Sequence, residues 1–221
     1  MSPQDLNTQA QNEFGVSKKE KARLGILLSG RGSNFLAIAD SVLGGALRDM
    51  AEIAIVISNV PGTQGLARAA ALELPTALYE SKGRKRAEHD ADVTACLREH
   101  EVDLVILAGY MRLLSPEFIA AFPNRILNIH PSLLPAFPGL DAQHQAFDHG
   151  CKVAGCTVHF VDEHLDNGAI ILQRCISVLD EDDAHSLAFR ILIEEHAAYP
   201  EAIARVLSGE YKIEGRRYVR I

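Results

Sequence analysis

The chain has 221 residues, 48% of them hydrophobic, which fits one packed domain and excludes a disordered chain. Against 29 acidic residues stand 22 basic ones, and the net charge of −7 argues against a sequence-blind nucleic-acid binder, whose surface must be basic. No apolar run reaches the ~18–20 residues that span a bilayer, and the polar first 22 residues lack the apolar core of a secretory signal.

Those first 22 residues, rich in Gln, Asn, Lys and Glu and without a period, read as a flexible lead-in to a single domain over 23–221. Residues 23–28 (RLGILL) form a short apolar run that ends at Ser29-Gly30. A helix is expected over 34–43, a buried strand over 53–58 and an Ala-rich helix over 64–72. A short strand at 76–78, a helix over 85–100 and a strand at 104–107 follow. Ser115 as N-cap and Pro116 at the first helical position begin another helix. Residues 126–130 make a strand. The alternation of short apolar runs with helices of about ten residues implies right-handed crossovers and a mostly parallel, Rossmann-like α/β sheet with helices on both faces. After residue 150 the rhythm changes. Two strands, 153–161 and 169–178, are joined by DEHLDNG and are expected to pair antiparallel, before a long helix at 184–207.

Four cysteines, Cys96, Cys151, Cys156 and Cys175, form no C-x-x-C pair, which fits reduced thiols in the cytoplasm. Nine histidines invite a metal, yet there is no H-E-x-x-H, and no zinc spacing surrounds Cys151 or Cys156. No metal is therefore expected. The basic run at 82–86 (KGRKR) reads either as a solvated helix start or as a grip on an anionic tail.

Two stretches carry chemistry. SGRGSN at 29–34 joins the first strand to the first helix, at a strand end where open α/β sheets bind ligands. It lacks the Gly-Lys-Ser/Thr of a triphosphate loop, and Phe35 stands where a dinucleotide fingerprint needs its third glycine. The remaining choices are a site for one phosphate or a plain strand-to-helix turn. The second stretch is Asn128-Ile129-His130, where alternation sends Asn128 and His130 to one face and Ile129 to the other. The Pro-rich loop that follows contains a candidate cis bond at Leu134-Pro135. Asp166 lies in the 162–168 loop; His159, on the strand that leads to it, reads with Asp162, Glu163 and His164 as a solvated polar cluster at a strand end rather than a metal site, a place near the cleft being the other option. An amide and an imidazolium make an oxyanion site for carbonyl chemistry, with a carboxylate to hold the ring and relay a proton. The residues by themselves leave a second reading open, in which His130 is a structural hydrogen-bonder and Asp166-Asn167-Gly168 a simple turn.

Taken together, SGRGSN, AGYMRLLSPEF, RILNIHPSLLPAFPGLDAQHQA and GCTVHFVDEHLDNGAIILQ resemble the phosphoribosylglycinamide formyltransferase branch of the folate-dependent formyltransferases, over residues 23–207. The resemblance implies formyl transfer from 10-formyltetrahydrofolate, as co-substrate, to the amine of glycinamide ribonucleotide, without a metal. It assigns catalysis to Asn128, His130 and Asp166, and ribonucleotide binding to Gly32, Ser33, Asn34 and Glu195. The folate side falls to Arg86, Met111, Arg112, Leu113, Leu114 and Val161. Small-molecule substrates, a cytoplasmic monomer or homodimer, and neither nucleic acid nor membrane as partner are expected. The rivals are formyltetrahydrofolate hydrolase, expected to carry an N-terminal regulatory domain, and methionyl-tRNA formyltransferase, expected to carry a C-terminal domain and a basic surface. A third is a non-catalytic phosphosugar binder, which has no need of the trio.

Overall fold

The computed structural model describes residues 21–221, so residues 1–20 of the expected lead-in lie outside the described residues. In chain order the elements are β1 (Ala22–Leu28), α1 (Ser33–Gly44), β2 (Ala51–Ser58), α2 (Gln64–Ala71) and β3 (Thr76–Leu78). Next come α3 (Arg86–Glu99), β4 (Leu104–Leu107), α4 (Pro116–Ala121), β5 (Ile126–His130) and α5 (Ala142–Asp148). The chain closes with β6 (Val153–Phe160), β7 (Ile170–Ser177), α6 (Ala184–Ser208), β8 (Tyr211–Glu214) and β9 (Arg217–Arg220). The first strand already includes Ala22, which corrects the expected boundary between residues 22 and 23 by one position: Ala22 is buried and its N–H bonds the Met50 carbonyl.

The described strands form one sheet in the order β3-β2-β1-β4-β5-β6-β7-β9-β8. From β3 to β5 every pairing is parallel, whereas β5 to β6 and β6 to β7 are antiparallel. The strand order reverses across β1 and β4, which opens a crevice at their carboxyl ends. The hairpin β8–β9 was not expected, nor was α5. Both elements are short, seven residues or fewer, so periodicity has too few positions to declare them.

Alternation along the central strands divides the core between two faces. Leu24, Ile26, Leu104, Ile106, Leu127 and Ile129 meet α1 and α6 on one face. Leu27, Val105, Leu107 and Ile126 meet α3 and α4 on the other. The long helix α6 starts with a capping box in which Asp183 and Ser186 each bond the other's backbone N–H. Its fully buried Tyr199 reaches across the sheet, with the hydroxyl 3.0 Å from both the Leu107 and Leu127 carbonyls. That contact fixes α6 against the ends of β4 and β5, where the candidate site lies.

Candidate active site

The loop between β1 and α1 is shaped by Gly32, whose φ of 73° is left-handed and which a side chain would drive into the Gly65 backbone. The Gly65 N–H closes the loop on the Gly30 carbonyl at 3.1 Å. No side chain caps α1, and no acidic residue stands in its first turn. The free N–H groups of that turn therefore face outward with the positive end of the helix dipole. They open on a cleft of about 510 Å³ lined by residues 29–34 on one side and by His185, Phe189 and Glu195 on another.

Glu195 is buried, and Asn34 Nδ2 donates to its Oε2 at 2.7 Å. Burial pushes the Glu195 carboxyl above its ordinary range, while the Asn34 bond acts in the opposite sense. On the other side of the same amide, Asn34 Oδ1 is buried without a partner among the described residues. Of the expected ribonucleotide residues, Gly32, Ser33, Asn34 and Glu195 all line this one cleft.

The expected catalytic residues gather one strand further along. The register pairs Asn128 with His159 and His130 with Thr157. All four side chains face away from Ile129, as alternation requires. The 162–168 loop returns tightly because Gly168 lies so close to the Phe160 carbonyl that a Cβ there would sit 1.9 Å from it. This return, with Asp166 itself at φ 48°, sets the Asp166 Oδ2 3.4 Å from His130 Nδ1. The same oxygen accepts from the Gly139 N–H at 2.8 Å. His130 Nε2 lies 2.8 Å from the Phe137 carbonyl. Each ring nitrogen therefore faces an oxygen, the Phe137 carbonyl at Nε2 and the Asp166 carboxyl at Nδ1. His130 is 5% exposed, so interactions at its ring are poorly screened by solvent.

His159 completes the cluster. Its Nδ1 is 2.8 Å from the Phe160 carbonyl, which places the proton there and leaves Nε2 to accept from Asn128 Nδ2 at 3.2 Å. Burial lowers its pKa, against the opposing pull of that backbone bond and of Asp166. The neutral ring orients the Asn128 amide and leaves it one N–H to spare. The expectation that His159 belongs to a solvated polar cluster is corrected: it is 2% exposed, and the β5–β6 register sets it against Asn128.

On the expected folate side, Met111, Arg112, Leu113 and Leu114 share the loop between β4 and α4. Met111 is 76% exposed and also lines the cleft, while Leu114 and Val161 pack against the α3–α4 core. Arg112 donates to the Arg84 carbonyl at 3.3 Å, and its buried Nε has no partner among the described residues. Arg86 stands exposed at the start of α3. The Leu134-Pro135 bond is cis. Sequence reading missed His185, Phe189 and Leu192 in the cleft wall. The successive steps 185, 189, 192 and 195 (four, three and three residues) keep them on one helix face with Glu195 and offered the signal.

A half-buried amide and carboxyl with a buried imidazole, beside an uncapped helix end in a sheet of this order, make an arrangement suited to carbonyl chemistry next to an anion. The formyl transferase family model matches residues 22–203, and the chain belongs to that family. Phosphoribosylglycinamide formyltransferase of Bacillus subtilis is 41% identical over 189 residues, covering 84% of this chain and 94% of that protein. The trifunctional purine biosynthetic protein adenosine-3 of Drosophila melanogaster is 44% identical over 201 residues, which are 90% of this chain but 15% of that protein. The crystal structure of glycinamide ribonucleotide transformylase 1 from Symbiobacterium toebii superimposes with a TM-score of 0.88 at 46% identity, covering 96% of this chain and all of that one.

Proposed function

We propose that the chain transfers the formyl group of 10-formyltetrahydrofolate to the amine of glycinamide ribonucleotide, a step of purine biosynthesis. Family membership and the names of the relatives support the reaction. The observation that carries the residue roles is the convergence of Asn128, His130 and Asp166 at the carboxyl end of β5, beside the cleft that Ile129 and Pro131 help to line.

The amine nitrogen attacks the formyl carbon, and the carbonyl oxygen becomes an oxyanion. The spare N–H of Asn128 and the charged ring of His130 stabilise it. These donors are worth most because they are fixed before the charge appears. Asp166 accepts the proton released by the attacking amine and returns it to the folate nitrogen as the carbon–nitrogen bond to the donor breaks. Its bond from Gly139 and its contact with His130 hold the carboxylate in place for this transfer. All of these steps use side-chain and backbone groups of the protein. Binding both substrates in line supplies further acceleration.

The first-turn N–H groups of α1 receive the ribonucleotide phosphate. Asn34 and Glu195 meet its sugar or amide, which gives the orphaned Asn34 oxygen a partner. The loop of Met111, Arg112, Leu113 and Leu114, with Val161 and Arg86, takes the folate, and the unpaired Arg112 Nε receives an acceptor there. The reaction belongs in the cytoplasm; among the described residues no helix is long and apolar enough to cross a membrane.

The test is to mix the protein with the ribonucleotide and the formyl-folate and follow the folate absorbance. A change that requires the ribonucleotide is expected. A change without it identifies a hydrolase, and no change in either mixture identifies a binding protein.

A further inference from the structure

Ser29, which opens the SGRGSN loop, and Asn59 carry no expected role of their own, yet they join three segments to which the function assigns substrate residues. The Ser29 hydroxyl donates to Asn59 Oδ1 at 2.6 Å and accepts from the Met111 N–H at 2.8 Å. The Ser29 N–H bonds the Gly109 carbonyl at 3.0 Å, so one residue of the ribonucleotide loop holds the folate-side loop twice. Asn59 is buried at the end of β2, and its Nδ2 donates to Ser81 Oγ at 3.0 Å. The Ser81 N–H answers with a bond to the Asn59 carbonyl at 3.1 Å. Ser81 opens the segment that leads to Arg86. A continuous polar chain therefore runs from residues 29–34 to residues 109–115 and to residues 81–86.

We propose that Ser29 and Asn59 are positioning residues that hold the folate-side loop in register with the ribonucleotide loop. The proposal rests on the assignment of those loops given above. Its physical ground is the exposure of the loop's apolar side chains. Met111 is 76% exposed and Leu113 54%, so packing does not hold them. Tyr110 and Leu114 anchor the loop in the α3–α4 core, while the stretch around Met111 is held by backbone bonds: at Gly109 and Met111 to Ser29, and at Ser115 to Asp90 Oδ2 at 2.7 Å. Removing the Ser29 hydroxyl frees the Met111 N–H and leaves Asn59 Oδ1 unpaired, while the ribonucleotide loop keeps its own closure between Gly30 and Gly65.

The experiment is steady-state kinetics on the full chain, varying each substrate at saturating levels of the other. For Ser29→Ala the KM for formyl-folate rises about tenfold, the scale of one or two lost hydrogen bonds, and the KM for the ribonucleotide rises by much less. Ser29→Thr, which keeps the hydroxyl, restores the formyl-folate KM. A purely structural role lowers the active fraction and leaves both KM values unchanged, and that result overturns the proposal. If Ser29→Ala does not fold, Asn59→Ala carries the same test: a raised formyl-folate KM supports the proposal and an unchanged one overturns it. Asn34→Ala serves as the control on the underlying assignment. If it leaves the ribonucleotide KM unchanged, the loop assignment itself is wrong. If it raises that KM while Ser29→Ala leaves the formyl-folate KM unchanged, only the positioning proposal fails.

Discussion

The cleft at the β1–α1 loop and the His130 cluster adjoin at the end of β5, yet they are made in opposite ways. The cleft loop is contiguous. Six residues, a left-handed glycine and an uncapped helix end create it, and most of its donors are backbone N–H groups. The cluster is assembled from β5, β6 and the loop after β6, and every donor and acceptor in it except Gly139 N–H and two carbonyls is a side chain. Backbone sites tolerate many side-chain changes and recognise charge. Side-chain clusters depend on strand register, and one substitution removes a chemical step. The difference teaches where binding and where turnover should fail.

The largest effect is expected at the cluster. Asp166→Asn keeps the size of the side chain but gives up the proton acceptor, and kcat should fall by ~10²–10⁴-fold with both KM values little changed. His130→Ala should behave alike, through loss of the charge facing the oxyanion. Stopped-flow absorbance of the folate at saturating substrates measures both. A KM defect with normal kcat would move these residues from chemistry to binding.

The second effect belongs to the cleft. Asn34→Ala leaves Glu195 buried without its donor, and the ribonucleotide KM should rise roughly ten- to a hundredfold. The formyl-folate KM should stay near the wild-type value, which separates the two regions in one titration pair.

How much of this division was legible beforehand follows from the same contrast. The SGRGSN loop, the facing of Asn128 and His130 and the parallel sheet were readable, because glycine, proline and a period of two act locally. The meeting of Asp166 with His130 rested on a family resemblance. No rule of spacing brings residues 36 positions apart together, and here the close return at Gly168 does so. The place of His159 between Asn128 and Asp166 was illegible because it depends on which residues β5 and β6 set opposite each other. Among the described residues the β8–β9 hairpin pairs with the rest of the sheet at one bridge, Ile170 with Arg217, and four-residue strands leave little pattern to read.

Two smaller effects concern stability against pH. The Glu195 carboxyl is raised above its ordinary value of 4.5 by burial, so the folded state holds the proton more tightly than the unfolded chain. Its stabilising contribution is complete below pH 4.5 and is lost as the pH rises through the folded value. Glu195→Gln should therefore gain Tm relative to wild type, by about 2–4 °C at pH 8 and by less at pH 5. His159 titrates in the opposite sense. Burial lowers its pKa from 6.5, so the unfolded chain takes up the proton first. Stability is complete above pH 6.5 and declines as the pH falls toward the folded value. His159→Gln, which keeps an acceptor for Asn128, should flatten that decline, with a Tm change of about 1–2 °C between pH 7 and pH 5.5. Thermal melts across pH check both.

The central claim is that His130 and Asp166 act as one unit in formyl transfer, and a double-substitution cycle on single-turnover rates tests it most directly. If the two are one unit, His130→Ala combined with Asp166→Asn is about as slow as the slower single variant, because either change already disables the pair. Independent losses that multiply in the double variant would contradict it.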